Sequence, residues 1–212
     1  MLRRCIVADQ EIHFSMAIPD GWERLDLTGK GRRDYARAQA QRAVEQIPAL
    51  AGKRKVIENS LYHELTSSWA KGVRYGAAMA QPTADGILDA SITVSILPEP
   101  PHHDDESVFE AISATVHEND EDSDGDDESD VSMINLPQAG RAVRVFGHRT
   151  LHPGEDSRSL KYSVLQTFVP FGGRVVMVMG FTFSSDVEDQ LFELFDLITG
   201  TLSVWIERGV DR

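Results

Sequence analysis

Cysteine is nearly missing from this chain. Cys5 is the only one among 212 residues, so no disulfide can form within it. Long apolar runs are missing as well, and none approaches the roughly 18–20 residues that a membrane-spanning helix needs. The opening Met1-Leu2-Arg3-Arg4-Cys5-Ile6 is basic, but it lacks the apolar stretch of about 7–15 residues that defines a secretory signal. The residues before Cys5 are not the small ones of a lipoprotein cleavage site. These absences set the expectation of a cytoplasmic chain with no membrane association. Lysine and arginine are absent between Arg74 and Arg141, which leaves no basic stripe for nucleic acid.

What is present is acid in one place. The net charge is −13, and 13 of the 34 acidic residues fall between Asp104 and Asp130. Without that stretch acids and bases balance, so the acidity belongs to one segment. With 41% hydrophobic and 26% charged residues the rest has the composition of a globular domain.

Hydrophobic periodicity supplies the elements. Ile12, Phe14, Met16 and Ile18 alternate with polar or small residues, the period of a half-buried strand. Pro19-Asp20-Gly21 ends it, and Trp22 follows as a core anchor. Ala36, Ala40, Ala43, Val44 and Ile47 share one face of a helix over Asp34–Ile47 that Pro48 terminates. The basic cluster Lys53-Arg54-Lys55 reads as a solvated helix and turn, with an anionic contact site as the alternative. Residues 61–80 are ambiguous between helix and strand, with strand favoured around Trp69–Ala80 because Gly72 and Gly76 weaken a helix there. Leu88, Ala90, Ile92, Val94 and Ile96 alternate with Asp89, Ser91, Thr93 and Ser95, a strand with one wet face. A helix is expected over Asp105–His117, followed by a charged mobile loop over Glu118–Asp130.

Strands follow at Ala142–Thr150, Leu160–Val169 and Arg174–Phe183, the last two joined by the loop Pro170-Phe171-Gly172-Gly173. Both faces of the last strand are largely apolar, so it is expected to be central and covered on both sides. A final helix places Val187, Leu191, Leu194, Phe195 and Ile198 on one face. Ser185 and Glu188 form its expected capping box, and Gly200 its left-handed end. The order β, α, β, β, α, β, β, β, α predicts an α/β (α+β) fold, a three-layer α/β/α sandwich around a mostly antiparallel sheet. Residues 1–11 are expected as a flexible terminus, 12–205 as one domain with an acidic insertion at about 118–130, and 206–212 as a tail.

Motifs for chemistry are sparse. There is no phosphate loop, and Gly29-Lys30-Gly31 lacks its spacing. There is no nucleophile elbow, and His63-Glu64 lacks the second histidine of a zinc protease pair. Asp120, Asp122 and Asp124 with Gly125 match the opening of a Ca²⁺ loop, where alternate carboxylates converge on a hard cation. Val131 stands where that loop needs its bidentate glutamate, and Asp127 where an apolar residue packs. The segment therefore reads as a charged loop that holds cations loosely, with a metal site at Asp120, Asp122 and Asp124 as the alternative. His102-His103 with Asp104-Asp105 and His117 read as exposed, with a transition-metal site as the alternative, and His148 and His152 at a strand end read as surface or core histidines. Met177 and Met179 read as core. No cofactor and no catalytic residue is expected.

Three local motifs carry a resemblance across residues 12–205. They are Ile18-Pro19-Asp20-Gly21-Trp22, then Leu136-Pro137 with Gly140, Ala142 and Arg144, then Phe181-Thr182 followed by Phe195-Asp196-Leu197-Ile198 and Thr201-Leu202. Together they resemble the PsbP-like superfamily, whose fold the photosystem subunit PsbP and the nuclear-import factor Mog share. The resemblance implies a non-catalytic adaptor that binds another protein through a sheet edge or helix face, with no catalytic residues to carry over. A Ca²⁺-responsive protein and a hydrolase with a dispersed site are the alternatives. The partner and the oligomeric state are not legible in the sequence.

Overall fold

The computed structural model describes residues 2–9, 12–83, 87–101, 107–121, 129–151 and 160–206. Among the described residues ten strands and four α-helices form two antiparallel sheets and the layers around them. The larger sheet has seven strands. In spatial order these are β3 (Glu23–Arg24), β4 (Val73–Pro82), β5 (Ile87–Pro98), β9 (Arg174–Thr182), β8 (Leu160–Phe171), β7 (Gly140–Leu151) and β6 (Ser129–Leu136). The smaller sheet is β1 (Leu2–Asp9), β2 (Ile12–Pro19) and β10 (Ser203–Ile206).

The entry strand β2 buries Ile12, Phe14, Met16 and Ile18 as its alternation predicts. It pairs only with β1 and β10 and not with the main sheet. Its apolar face packs against Val176, Val178 and Ile198 instead, so the small sheet is a layer of its own. Residues 2–9, expected as part of a flexible terminus, form β1 beside it.

Helix α4 (Glu188–Gly200) shares that layer. It buries Leu191, Phe195 and Ile198, with Val187 and Leu194 partly buried, on the face that the period predicts. Its ends differ from expectation. Val187 caps it without a side-chain hydrogen bond, and Thr201 in a right-handed conformation closes it. Thr201 Oγ1 donates to Ile198 O at 2.7 Å and accepts from Ala17 N at 2.8 Å, which fastens the helix end to β2.

The opposite face of the large sheet carries α1 (Gly31–Gln46), α2 (Arg54–Ala70) and α3 (Ser107–Glu121). Helix α2 resolves the ambiguous start of residues 61–80 as helix and extends back to Arg54, and in it Ile57, Leu61, Leu65 and Trp69 recur every fourth residue. Leu65 and Trp69 pack with Leu27, Ala36 and Val73 in one cluster. Ala36 and Ala40 are buried in α1, but Ile47 falls at its C-cap, 53% exposed. Gly72 ends the helical pair at φ +100°, where a Cβ would meet Ile96 O at 2.6 Å.

The edge strand β6 was also read as loop up to Asp130. It pairs with β7 from Ser129↔Gly147 to Leu136↔Gly140. The β8–β9 connection is tighter than expected: Phe171 pairs with Arg174, and Gly172 and Gly173 make a two-residue turn at φ +61° and +74°.

Candidate functional site, a half-covered sheet face

The three-layer expectation holds for the sheet as a whole but not at its centre. Strand β9 is central, between β5 and β8. Val176, Val178, Gly180 and Thr182 are buried beneath α4 and the small sheet, whereas Met177, Met179 and Phe181 on the other face are only partly buried. Helix α3 covers the β7–β8 side through Val108, Ile112 and Val116 against Val143, Val145 and Val175. Helices α1 and α2 cover the β4 side. Between them the sheet face lies open.

Two cavities mark that opening. One of about 660 Å³ lies against α3 and is lined by Leu97, Ile112, Val116, Phe168 and Met177, with Arg149 and Gln166 among its polar residues. The other, about 400 Å³, lies against α2 and is lined by Leu27, Leu65, Thr93, Ser95, Met179 and Phe181. They share Leu97 and Met177, so they form one trough along β9. At the far end Phe181, Phe183 and Tyr162 stack edge to face or tilted at 5.7–6.3 Å.

Strand register orders the floor into rows. Thr93 on β5 lies opposite Met179, and Met179 opposite Gln166 on β8. Ser95, Met177 and Phe168 form the next row, and Ser91, Phe181 and Val164 the one on the other side. The floor is thus a hydroxyl row along β5 and a thioether and aromatic stripe along β9, with Gln166 beyond it. Ser91, Thr93 and Ser95 hydroxyls have no hydrogen-bond partner among the described residues, and Gln166 Nε2 reaches only Met179 Sδ, at 3.6 Å. An apolar depression with a few polar groups of unspent hydrogen-bonding capacity is the usual make-up of a ligand site.

The sequence held both halves of this finding. The wet face expected for β5 and the covered face expected for the Met177 side of β9 are the same face of one sheet. In-register pairing, not periodicity, reveals that Met177 and Met179 border a polar row and line a trough.

A second polar constellation bears on the hydrolase alternative. Ser163 Oγ donates to Glu188 Oε2, and His148 Nε2 lies 3.1 Å from Glu188 Oε1. The carboxylate stands between serine and histidine, whereas a nucleophilic triad needs the imidazole between serine and acid. Ser163 is moreover 3% exposed. Glu188 therefore serves as a tertiary clamp between α4 and the sheet, which is why it does not close a capping box with Ser185.

Of the sequence-derived metal candidates, Asp120 lies at the end of α3, while Asp122, Asp124 and Gly125 lie outside the described residues, as do His102 and His103. No group of three or more metal-ligating side chains occurs among the described residues. Among these residues no helix is long and apolar enough to cross a membrane.

The architecture is that of a three-layer α/β/α protein with an antiparallel central sheet, one outer layer being a helix beside a small sheet. No protein-family profile and no curated protein matches the chain. Solved structures similar to it include LpqN of Mycobacterium tuberculosis, described as involved in cell envelope biogenesis, at 12% identity and TM-score 0.47 over 96% of this chain and 91% of that one. Another is PsbP (CyanoP) of a Synechocystis species, at 13% identity and TM-score 0.41 over 91% and 86%.

Proposed function

We propose that this chain is a non-catalytic binding protein that works in the cytoplasm and takes its ligand in the trough between α2 and α3. The observation that supports it is the incomplete burial of Met177, Met179 and Phe181 at the centre of a seven-stranded sheet. Antiparallel sheets commonly leave one face wet, but that face is then polar, whereas the Met177, Met179 and Phe181 stripe is apolar, and each Å² of apolar surface left in water forgoes about 25 cal/mol. A ligand on this face recovers that stabilisation. Methionines suit such a surface, because their unbranched thioethers repack around different shapes. The acidic stretch from Asp104 to Asp130 steers a basic partner toward the chain.

The test is titration with Nile red, a neutral dye that fluoresces in apolar surroundings. We expect saturable enhancement, and a loss of affinity of about tenfold in Met179→Asn, the equivalent of about 1.4 kcal/mol. Equal binding by the parent protein and the variant would refute the trough as the site.

A further inference from the structure

Strand β6 ends the large sheet and has one partner only. Its pairing with β7 runs without a bulge from Ser129↔Gly147 to Leu136↔Gly140. In such a strand every second residue turns its N–H and C=O away from the partner. Among the described residues nothing takes up those outward groups along β6. A row of unpaired main-chain groups is a template for another strand, and sheets ordinarily blunt it by shortness, proline or charge. The opposite edge is blunted: β3 is two residues long, and both, Glu23 and Arg24, are charged. In the small sheet β10 has four residues, and β1 carries Arg3, Arg4 and Asp9. Strand β6 has eight residues with no proline, lysine or arginine, and Asp130 is its one charge. Met133, at its middle, is 47% exposed.

We infer that β6 pairs with β6 of a second copy, antiparallel about a two-fold axis, so that two large sheets join into one. The occupant is a second copy because the strand complements itself. Pairing about a two-fold axis normal to the sheet sets only residues of the same face opposite one another. Val131 packs with the α3 cluster, and Met133, opposite Val143, shares that face. With the axis at Ser132, each Val131 meets Met133 of the other copy, and the two Ser132 residues meet each other. Asp130 then faces Ile134. The two Asp130 positions lie roughly 14 Å apart, beyond the ~8 Å over which charge acts at physiological salt. No like charges oppose each other in the ladder. Head-to-tail pairing of β6 with β3 is closed off by the length of β3, which leaves the symmetric pair. One strand makes a small interface, so the dimer is reversible and its population rises with concentration.

The experiment is sedimentation velocity on the full chain over a range of concentrations. It is run at physiological ionic strength, which screens the repulsion between two chains of net charge −13. The mass is expected to rise to that of two chains. Met133→Lys places a charge on the exposed middle of the edge and is expected to weaken the dimer at least about tenfold, with the circular dichroism of the parent. Cross-linking then reads the register, in a Cys5→Ser background that removes the one native thiol. Across the axis the two Ser132 Cα atoms stand about 4.5–5.5 Å apart, within disulfide range. Ser132→Cys is therefore expected to give a covalent dimer on mild oxidation. Asn135→Cys is expected to give none, because its two copies lie roughly 20 Å apart. A parent that keeps the mass of one chain at every concentration overturns the assignment and leaves the edge to a strand of another protein. A dimer that Met133→Lys does not weaken overturns β6 as its interface. Equal cross-linking by Ser132→Cys and Asn135→Cys overturns the pairing about Ser132.

Discussion

Gly180 and Phe195 set the spacing between the central sheet and α4. A Cβ at residue 180 would stand 2.5–2.8 Å from three atoms of the Phe195 ring, which is itself fully buried. The ring lies where a side chain on β9 would otherwise be, with Trp22 edge-on at 6.5 Å. Gly180→Ala is therefore expected to destabilise the fold by about 1–3 kcal/mol through overpacking, measured as a lowered urea midpoint with an unchanged slope. A variant as stable as the parent would mean that the ring has room to move. At this scale the sequence was readable where side chains alternate: Phe14, Met16, Phe195 and Ile198 are all buried as their periods require. It misled where a side chain has a long-range partner. Glu188 sits at capping-box spacing from Ser185, but Ser163, on a strand 25 residues earlier, takes its carboxylate, and local spacing carries no trace of that contact.

Helix α2 is the element that local reasoning left ambiguous. Its polar residues and the nearby Gly72 and Gly76 outweigh the fourfold recurrence of Ile57, Leu61, Leu65 and Trp69. The helix holds through tertiary packing. Leu65 packs in one cluster with Leu27 and Ala36, and the guanidinium groups of Arg32, at 5.4 Å, and Arg74, at 4.3 Å, lie over the Trp69 ring. Leu65→Ala is expected to cost about 2–5 kcal/mol by leaving a cavity. Because Leu65 also lines the α2 side of the trough, the same variant should loosen dye binding. A loss of stability below about 1 kcal/mol would contradict the packing described. Strand β6 was missed for a different reason. Its start, Ser129-Asp130, continues the acidic run, and an edge strand with one partner needs little apolar patterning to pair.

At the scale of the molecule, the fold class was legible and the layer arrangement partly so. The count of hairpins predicts an antiparallel sheet. A two-faced apolar β9 predicts a central strand, and both expectations match the structure. What no single-strand pattern contains is where the covering helices stop. Three helices are placed at the two flanks of one sheet face, and the gap between them falls over Met177 and Met179. The most direct measurement is a methyl spectrum of the protein with ¹³C-labelled methionine, recorded as Nile red is added. The chain has six methionines, with Met16 fully buried in the small sheet and Met133 exposed on the edge strand β6. The account predicts that the Met177 and Met179 signals shift together and saturate while those of Met16 and Met133 stay in place. Saturable shifts at Met133 with Met177 and Met179 unmoved would place binding at the sheet edge and contradict it.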